Sequence, residues 1–83
     1  MATGNDNYKA PPVLDSEEGY AEWRTDLDVW MLLTELPKKK QGPAIFLNLH
    51  GKAREIARKL APAVIGGDDG VTQIINKLET FYL

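Results

Sequence analysis

Apolar side chains recur at the period of an α-helix between Gly19 and Leu36, and no other segment offers as much apolar surface at one helical period. At about 100° per residue, six positions fall inside an arc of about 100°: Tyr20, Trp23, Leu27, Trp30, Met31 and Thr34. A stripe of this width is typical of an amphipathic helix that covers a core. We therefore predict a first helix that begins near residue 17 and ends before Pro37, with Tyr20, Trp23, Leu27 and Trp30 in the core.

Three apolar residues of the same segment, Val29, Leu32 and Leu33, lie outside this stripe. The last two turns of the helix are therefore apolar on nearly all sides, which indicates a helix that is covered on more than one side. The second cover is either another part of the same fold or another molecule. We predict that these three residues form an assembly interface, with burial inside the fold as the alternative.

Three further helices are predicted in the rest of the chain. Ala44 to Leu49 is apolar except at Asn48 and fits a short buried helix or a buried strand; its helical neighbours favour a helix. Lys52 to Ala61 predicts a third helix, and the residues from Val71 onward predict a fourth with one apolar stripe. The predicted core residues of these three helices are Phe46, Leu47, Ile56, Leu60, Ile74 and Leu78.

An extended arm is predicted in front of the helices. Pro11 and Pro12 impose extended geometry on themselves and on Ala10, whereas residues 1–7 are small and polar. We therefore predict a disordered tail over residues 1–10 and one domain over residues 11–83. The expected fold is all-α, a small bundle of four helices with a short second helix and an extended N-terminal arm.

The composition argues against several classes of function. The chain has no cysteine, which removes disulfides, cysteine-based zinc sites and thiol chemistry. Its single histidine, His50, is followed by Gly51 in a predicted turn and has no serine nearby in the sequence. The formal net charge of −2 argues against nucleic-acid binding by bulk charge. We expect no enzymatic activity, no metal and no cofactor.

One basic run interrupts this balance, namely Lys38, Lys39 and Lys40. Such a run is either a solvated connector or a weak contact for a polyanion, at about 1 kcal/mol per lysine near an anionic surface. The longest apolar runs are far shorter than the roughly 18 residues that span a bilayer, and the first residues lack a basic region followed by an apolar stretch. We expect a soluble cytoplasmic protein without a membrane partner.

Several features together resemble the amino-terminal lobe of the capsid region in Gag polyproteins of LTR retrotransposons. The resemblance spans residues 11–83 and depends on the order and spacing of its motifs. These are the Pro11-Pro12 arm, Tyr20-x-x-Trp23 with Trp30 in a long first helix, the apolar second helix, Leu49-x-Gly51-x-Ala53, and Val71-x-x-Ile74-x-x-x-Leu78-x-x-Phe81.

The resemblance implies a structural self-assembly function. In that family this lobe forms rings of five or six copies on the outside of a virus-like shell that packages the element's RNA. The partner would be another copy of the chain, with RNA bound only through other parts of the parent protein. The alternative is a domesticated Gag-like lobe that binds a peptide or protein in a groove, with Trp23, Trp30 and Phe46 as its lining.

A third hypothesis is a helix-turn-helix domain that binds nucleic acid through the third and fourth helices. A recognition helix needs several cationic or amide side chains, and the fourth helix offers Lys77 as its only base. We therefore rank this hypothesis below the two protein-binding functions.

Overall fold

The computed structural model describes residues 10–82, and these residues form an all-α fold as predicted. Five α-helices follow a single 3-10 turn at Glu17–Gly19: α1 Tyr20–Leu33, α2 Lys38–Leu47, α3 Gly51–Ala57, α4 Pro62–Ile65 and α5 Gly70–Tyr82. The predicted tail lies outside the described residues except for Ala10, which is exposed. The helix that was not predicted is α4, a single turn between the predicted third and fourth helices.

Helix α5 lies at the centre of the bundle and contacts α2, α3 and α4. Two glycines allow this packing. A Cβ atom at Gly42 in α2 would lie 2.1 Å from the carbonyl oxygen of Ile65, and one at Gly70 would lie 2.0 Å from the same atom. The backbones of α2 and α5 therefore approach the end of α4 more closely than any residue with a side chain would permit.

One apolar core joins all five helices and the arm. Most of the predicted core residues are buried in it: Tyr20, Trp23, Leu27, Trp30, Ile56, Ile74 and Leu78. Phe46 and Leu60 are partly buried and pack against this core. The structure adds buried residues that the sequence analysis did not select: Leu14, Ile45, Leu49, Ala53, Ala57 and Ile65.

The prediction that Leu47 belongs to the core is wrong, because its side chain is 61% exposed. Helix α2 begins at Lys38, six residues before the predicted start, and Ile45 is its buried side chain. A residue two positions after a buried one points to the opposite side of a helix, so Leu47 faces outward. Pro43 lies inside α2; the preceding Gly42 has no Cβ to clash with the proline ring.

The first and third helices end earlier than predicted. Helix α1 ends at Leu33 rather than Leu36, since Thr34 is extended and its Oγ1 accepts a hydrogen bond from the Leu36 backbone N–H at 3.2 Å. Helix α3 ends at Ala57, and a turn then leads into α4. In both places the prediction extended the helix to the next proline, whereas in the structure the helix ends earlier and non-helical residues follow.

The arm lies against the body of the domain. Leu14 is buried and forms an isolated parallel bridge with Leu49; the His50 backbone N–H donates to the Leu14 carbonyl at 2.9 Å. The Asn48 side-chain amide donates to the Pro11 carbonyl at 2.7 Å, which adds a second attachment. The arm thus covers the connection between α2 and α3 and belongs to the folded unit.

Candidate assembly surface

The outward side of α1 carries the predicted interface residues. Val29, Leu32 and Leu33 are all exposed, and Leu32 is the most exposed of them at 85%. Val29 lies three residues before Leu32 and four before Leu33, so the three side chains are neighbours on the helix surface, outside the buried stripe of Trp23 and Trp30. We call this set the outer face of α1. The alternative that these side chains are covered within their own fold is not what the structure shows.

Buried contacts on the inward side orient this face. The Trp23 indole Nε1 donates to the Pro12 carbonyl at 3.1 Å, which ties α1 to the arm. The Tyr20 hydroxyl donates to Glu79 Oε2 at 3.0 Å, and its ring stacks on Tyr82 at 5.2 Å between centroids. Both ends of these contacts lie in regular helices or in the attached arm, so the outer face is held on a rigid support.

Burial is the main reason that the pKa of Tyr20 lies above its ordinary value, and the hydrogen bond to Glu79 and the charge of Glu79 raise it further. Burial also raises the pKa of Tyr82, with a smaller contribution from the charge of Glu17. The protonated form of Tyr20 is therefore the form that fits the fold.

This pKa shift predicts a loss of stability at alkaline pH that depends on the Tyr20 hydroxyl. Below about pH 10 tyrosine is protonated in both states, so its contribution is complete; above it, the unfolded chain loses the proton first and stability falls. We expect the difference in unfolding free energy between the wild type and Tyr20→Phe to be constant near neutrality and to fall above about pH 10. Urea unfolding of both proteins at several pH values measures this difference. If the difference in unfolding free energy stays constant through the alkaline range, the predicted effect of the Tyr20 hydroxyl is contradicted.

A second surface lies between α2, the turn after α3 and α4. It is an apolar groove of about 490 Å³, lined mainly by Pro43, Phe46, Leu47, Arg58, Leu60 and Pro62. We call it the α2–α4 groove. Phe46 is the one predicted peptide-contacting aromatic residue that reaches it, because Trp23 and Trp30 are buried in the core. The sequence pattern did not reveal this groove, because Leu47, which lines it, was predicted to lie in the core.

Arg54 contacts two residues that line the groove, Phe46 and Leu47. Its guanidinium donates to the carbonyls of Leu49 and Leu47, each at 2.8 Å, and lies over the Phe46 ring at 5.3 Å from the centroid. The Leu47 carbonyl belongs to the last residue of α2 and the Leu49 carbonyl lies two residues beyond it, so the cation is at the C-terminal end of the helix, where it is favourable. Arg54 therefore holds the end of α2 in place, while Arg58 remains exposed at the groove.

The predicted polyanion contact, Lys38, Lys39 and Lys40, forms the exposed first turn of α2. The structure brings the three lysines together with Gln41, whose side chain donates to the Leu36 carbonyl at 2.8 Å. Contact with a polyanion at these lysines stays a prediction.

Charge is divided sharply along the described chain. Residues 10–37, which form the arm and α1, contain seven acidic side chains and one basic side chain, Arg24. Residues 38–61, which form α2, α3 and the following turn, contain seven basic side chains and one acidic side chain, Glu55. The net charge of −2 averages over this division, so a count over the whole chain did not reveal it.

The remaining candidates for chemistry are dispersed. His50 is exposed at the turn before α3, and its backbone N–H is bonded to the arm. Within residues 10–82, no group of three or more His, Asp or Glu side chains is placed to hold a metal ion. In the same range, every helix is too short or too polar to cross a membrane.

Comparison of the chain with protein-family models, with curated proteins and with solved structures finds no match. The site is therefore interpreted from its own geometry: an exposed aliphatic face on α1, an apolar groove beside α2, and opposite charges on the segments that carry them.

Proposed function

We propose that this chain is a structural self-assembly domain, the amino-terminal lobe of a retrotransposon-type Gag capsid. In this function the lobe forms ring contacts with other copies of itself in the cytoplasm. RNA is packaged inside the shell and contacts other parts of the parent protein. The observation that carries the proposal is the outer face of α1, where Leu32 is 85% exposed on a helix whose other side is fully packed.

Two features of the fold support this proposal. Exposing an aliphatic cluster to water is unfavourable, and covering it with a protein partner removes this cost. The cluster lies on a domain whose arm and helices are held by the core contacts of Leu14 and Trp23, so a partner meets a preformed surface. A preformed surface loses little conformational entropy on binding, which suits assembly from many weak contacts.

The test is the formation of particles by the complete protein that contains these residues. We expect Leu33→Lys to abolish ring and shell formation, because it would bury an unpaired charge at the contact. The fold should be retained, since Leu33 is the last residue of α1 and a lysine is favourable at that end of a helix. Negative-stain electron microscopy measures particles, and circular dichroism measures the helical content.

The matched control is Val13→Lys, which adds the same charge at a residue of the arm that is exposed to a similar extent, 49% against 54% for Leu33. Particles from the control and none from Leu33→Lys support the proposal. Normal particles from Leu33→Lys would show that α1 does not form the ring contact. Absence of particles from the wild-type protein would refute the assembly function itself.

The second candidate function, a domesticated lobe that binds a peptide or protein, is supported by the α2–α4 groove. Its lining is mostly apolar, and Phe46 and Leu47 are within reach of a partner. A wild-type protein that remains a monomer under assembly conditions, and in which Leu47→Glu abolishes binding of a captured peptide, would favour this function over self-assembly.

A further inference from the structure

We propose that the outer face of α1 in one copy docks into the α2–α4 groove of the next copy, so that the chain assembles head to tail. This inference rests on the proposed self-assembly function and specifies the partner surface. The occupant of the groove is thus a second copy of this chain, contributing Val29, Leu32 and Leu33.

Shape and polarity of the two surfaces agree. An apolar cavity of roughly 150 Å³ holds a benzene ring, so a groove of about 490 Å³ has room for more than one aliphatic side chain. The outer face of α1 presents three such side chains on adjacent turns, and they are exposed in the free chain. Docking would remove apolar area from water on both partners, which is the main driving force for association.

Charge decides which surfaces meet. On the outward side of α1, Glu22 lies about two turns and Asp26 about one turn before Val29, and both are exposed. The groove is lined by Arg58 and followed by the exposed Lys59. A contact between two α1 faces would place acidic residues against acidic residues, whereas docking in the groove places them near basic ones. The division of charge therefore favours the head-to-tail contact over a symmetric one.

A head-to-tail contact has a consequence for assembly. It joins two different surfaces, so each added copy leaves one α1 face and one groove free at the two ends. Such heterologous contacts produce closed rings when the rotation between copies closes, and open chains when it does not. The inference thus supplies the kind of contact that ring formation requires.

Two complementary variants test the contact. Leu33→Lys removes a functional α1 face and keeps the groove, whereas Leu47→Glu alters the groove and keeps the α1 face. Leu33 and Leu47 are both more than half exposed, so both variants are expected to fold. Each variant alone should remain a monomer, and an equimolar mixture should form a one-to-one dimer that does not grow further.

Sedimentation and nuclear magnetic resonance at high protein concentration measure this outcome. With labelled Leu47→Glu, addition of unlabelled Leu33→Lys should shift resonances on the α1 face; with the labels exchanged, it should shift those of the groove. Each variant mixed with its own unlabelled copy is the control. Raising the salt concentration, or adding Arg58→Glu to the partner with the intact groove, should weaken the dimer.

The outcomes separate the inference from the proposed function. If the mixture forms no dimer while the wild-type protein still assembles, the α1 face meets some other surface and the head-to-tail contact is refuted. If Leu33→Lys associates with itself, the contact does not need the α1 face and the inference is also refuted. If the wild-type protein does not assemble at all, the proposed function is refuted, and the inference that rests on it is refuted as well.

Discussion

Trp23→Ala is expected to lower the free energy of unfolding by about 3–5 kcal/mol, the usual cost of removing a large buried aromatic side chain. Trp23 is 3% exposed, and its ring lies 5.7 Å from that of Tyr20 between centroids. The substitution would also leave the Pro12 carbonyl without its indole donor. Since native domains have about 5–15 kcal/mol of stability in total, this loss would remove a large part of the free energy of unfolding.

Thermal and urea unfolding followed by circular dichroism measure this loss. The matched control is Phe81→Ala, which removes an aromatic ring that is half exposed at the end of α5, and which should cost far less. Midpoints for Trp23→Ala within a few degrees of the wild type would place Trp23 on the surface and reverse the orientation of α1.

A second pair of variants separates the hydrogen bond of Trp23 from its volume. Trp23→Phe and Trp30→Phe replace equally buried indoles with the same smaller ring. Only Trp23 has a bonded Nε1, because the Trp30 Nε1 has no partner among the described residues. We expect Trp23→Phe to cost more, by about 1 kcal/mol, the net value of a typical hydrogen bond. Equal costs would mean that the bond to Pro12 adds nothing to stability.

Gly42→Ala is expected to destabilise the fold by about 3 kcal/mol or more, at the upper end of the range for overpacking a core. The new Cβ would lie 2.1 Å from the Ile65 carbonyl oxygen, which is backbone and cannot move aside as a flexible side chain would. Helix α2 would have to separate from α4 and from α5 beside it. The helix propensity of alanine offsets only about 1 kcal/mol of this cost.

Gly66→Ala is the matched control for this prediction. A Cβ at Gly66 would lie 3.5 Å from the Pro62 carbonyl oxygen, an ordinary contact, and its φ of −88° suits any residue. We expect Gly66→Ala to be neutral or slightly stabilising, because alanine restricts the unfolded chain. Urea unfolding of both variants gives the comparison. Equal stability of the two would show that α2 and α4 are further apart than described.

Local pattern in the sequence was sufficient for the fold class and for the inner stripe of α1. Burial at every third or fourth residue is a property of one helix alone, so Tyr20, Trp23 and Leu27 could be assigned without knowledge of their partners. The same pattern separated Val29 and Leu33 from the core, and both are exposed.

The starting residue of α2, the direction of its side chains and the α2–α4 groove depended on tertiary contacts. A proline and a glycine near the middle of α2 suggested a late start, and a run of apolar residues does not reveal which of them face inward. The direction of Leu47 was decided by the approach of Gly42 to Ile65, two residues that are far apart in the sequence. Such an approach depends on the relative position of whole helices. Periodicity describes one helix at a time. It therefore predicted the helical fold class, whereas the surfaces that several helices form together were determined only by the tertiary structure.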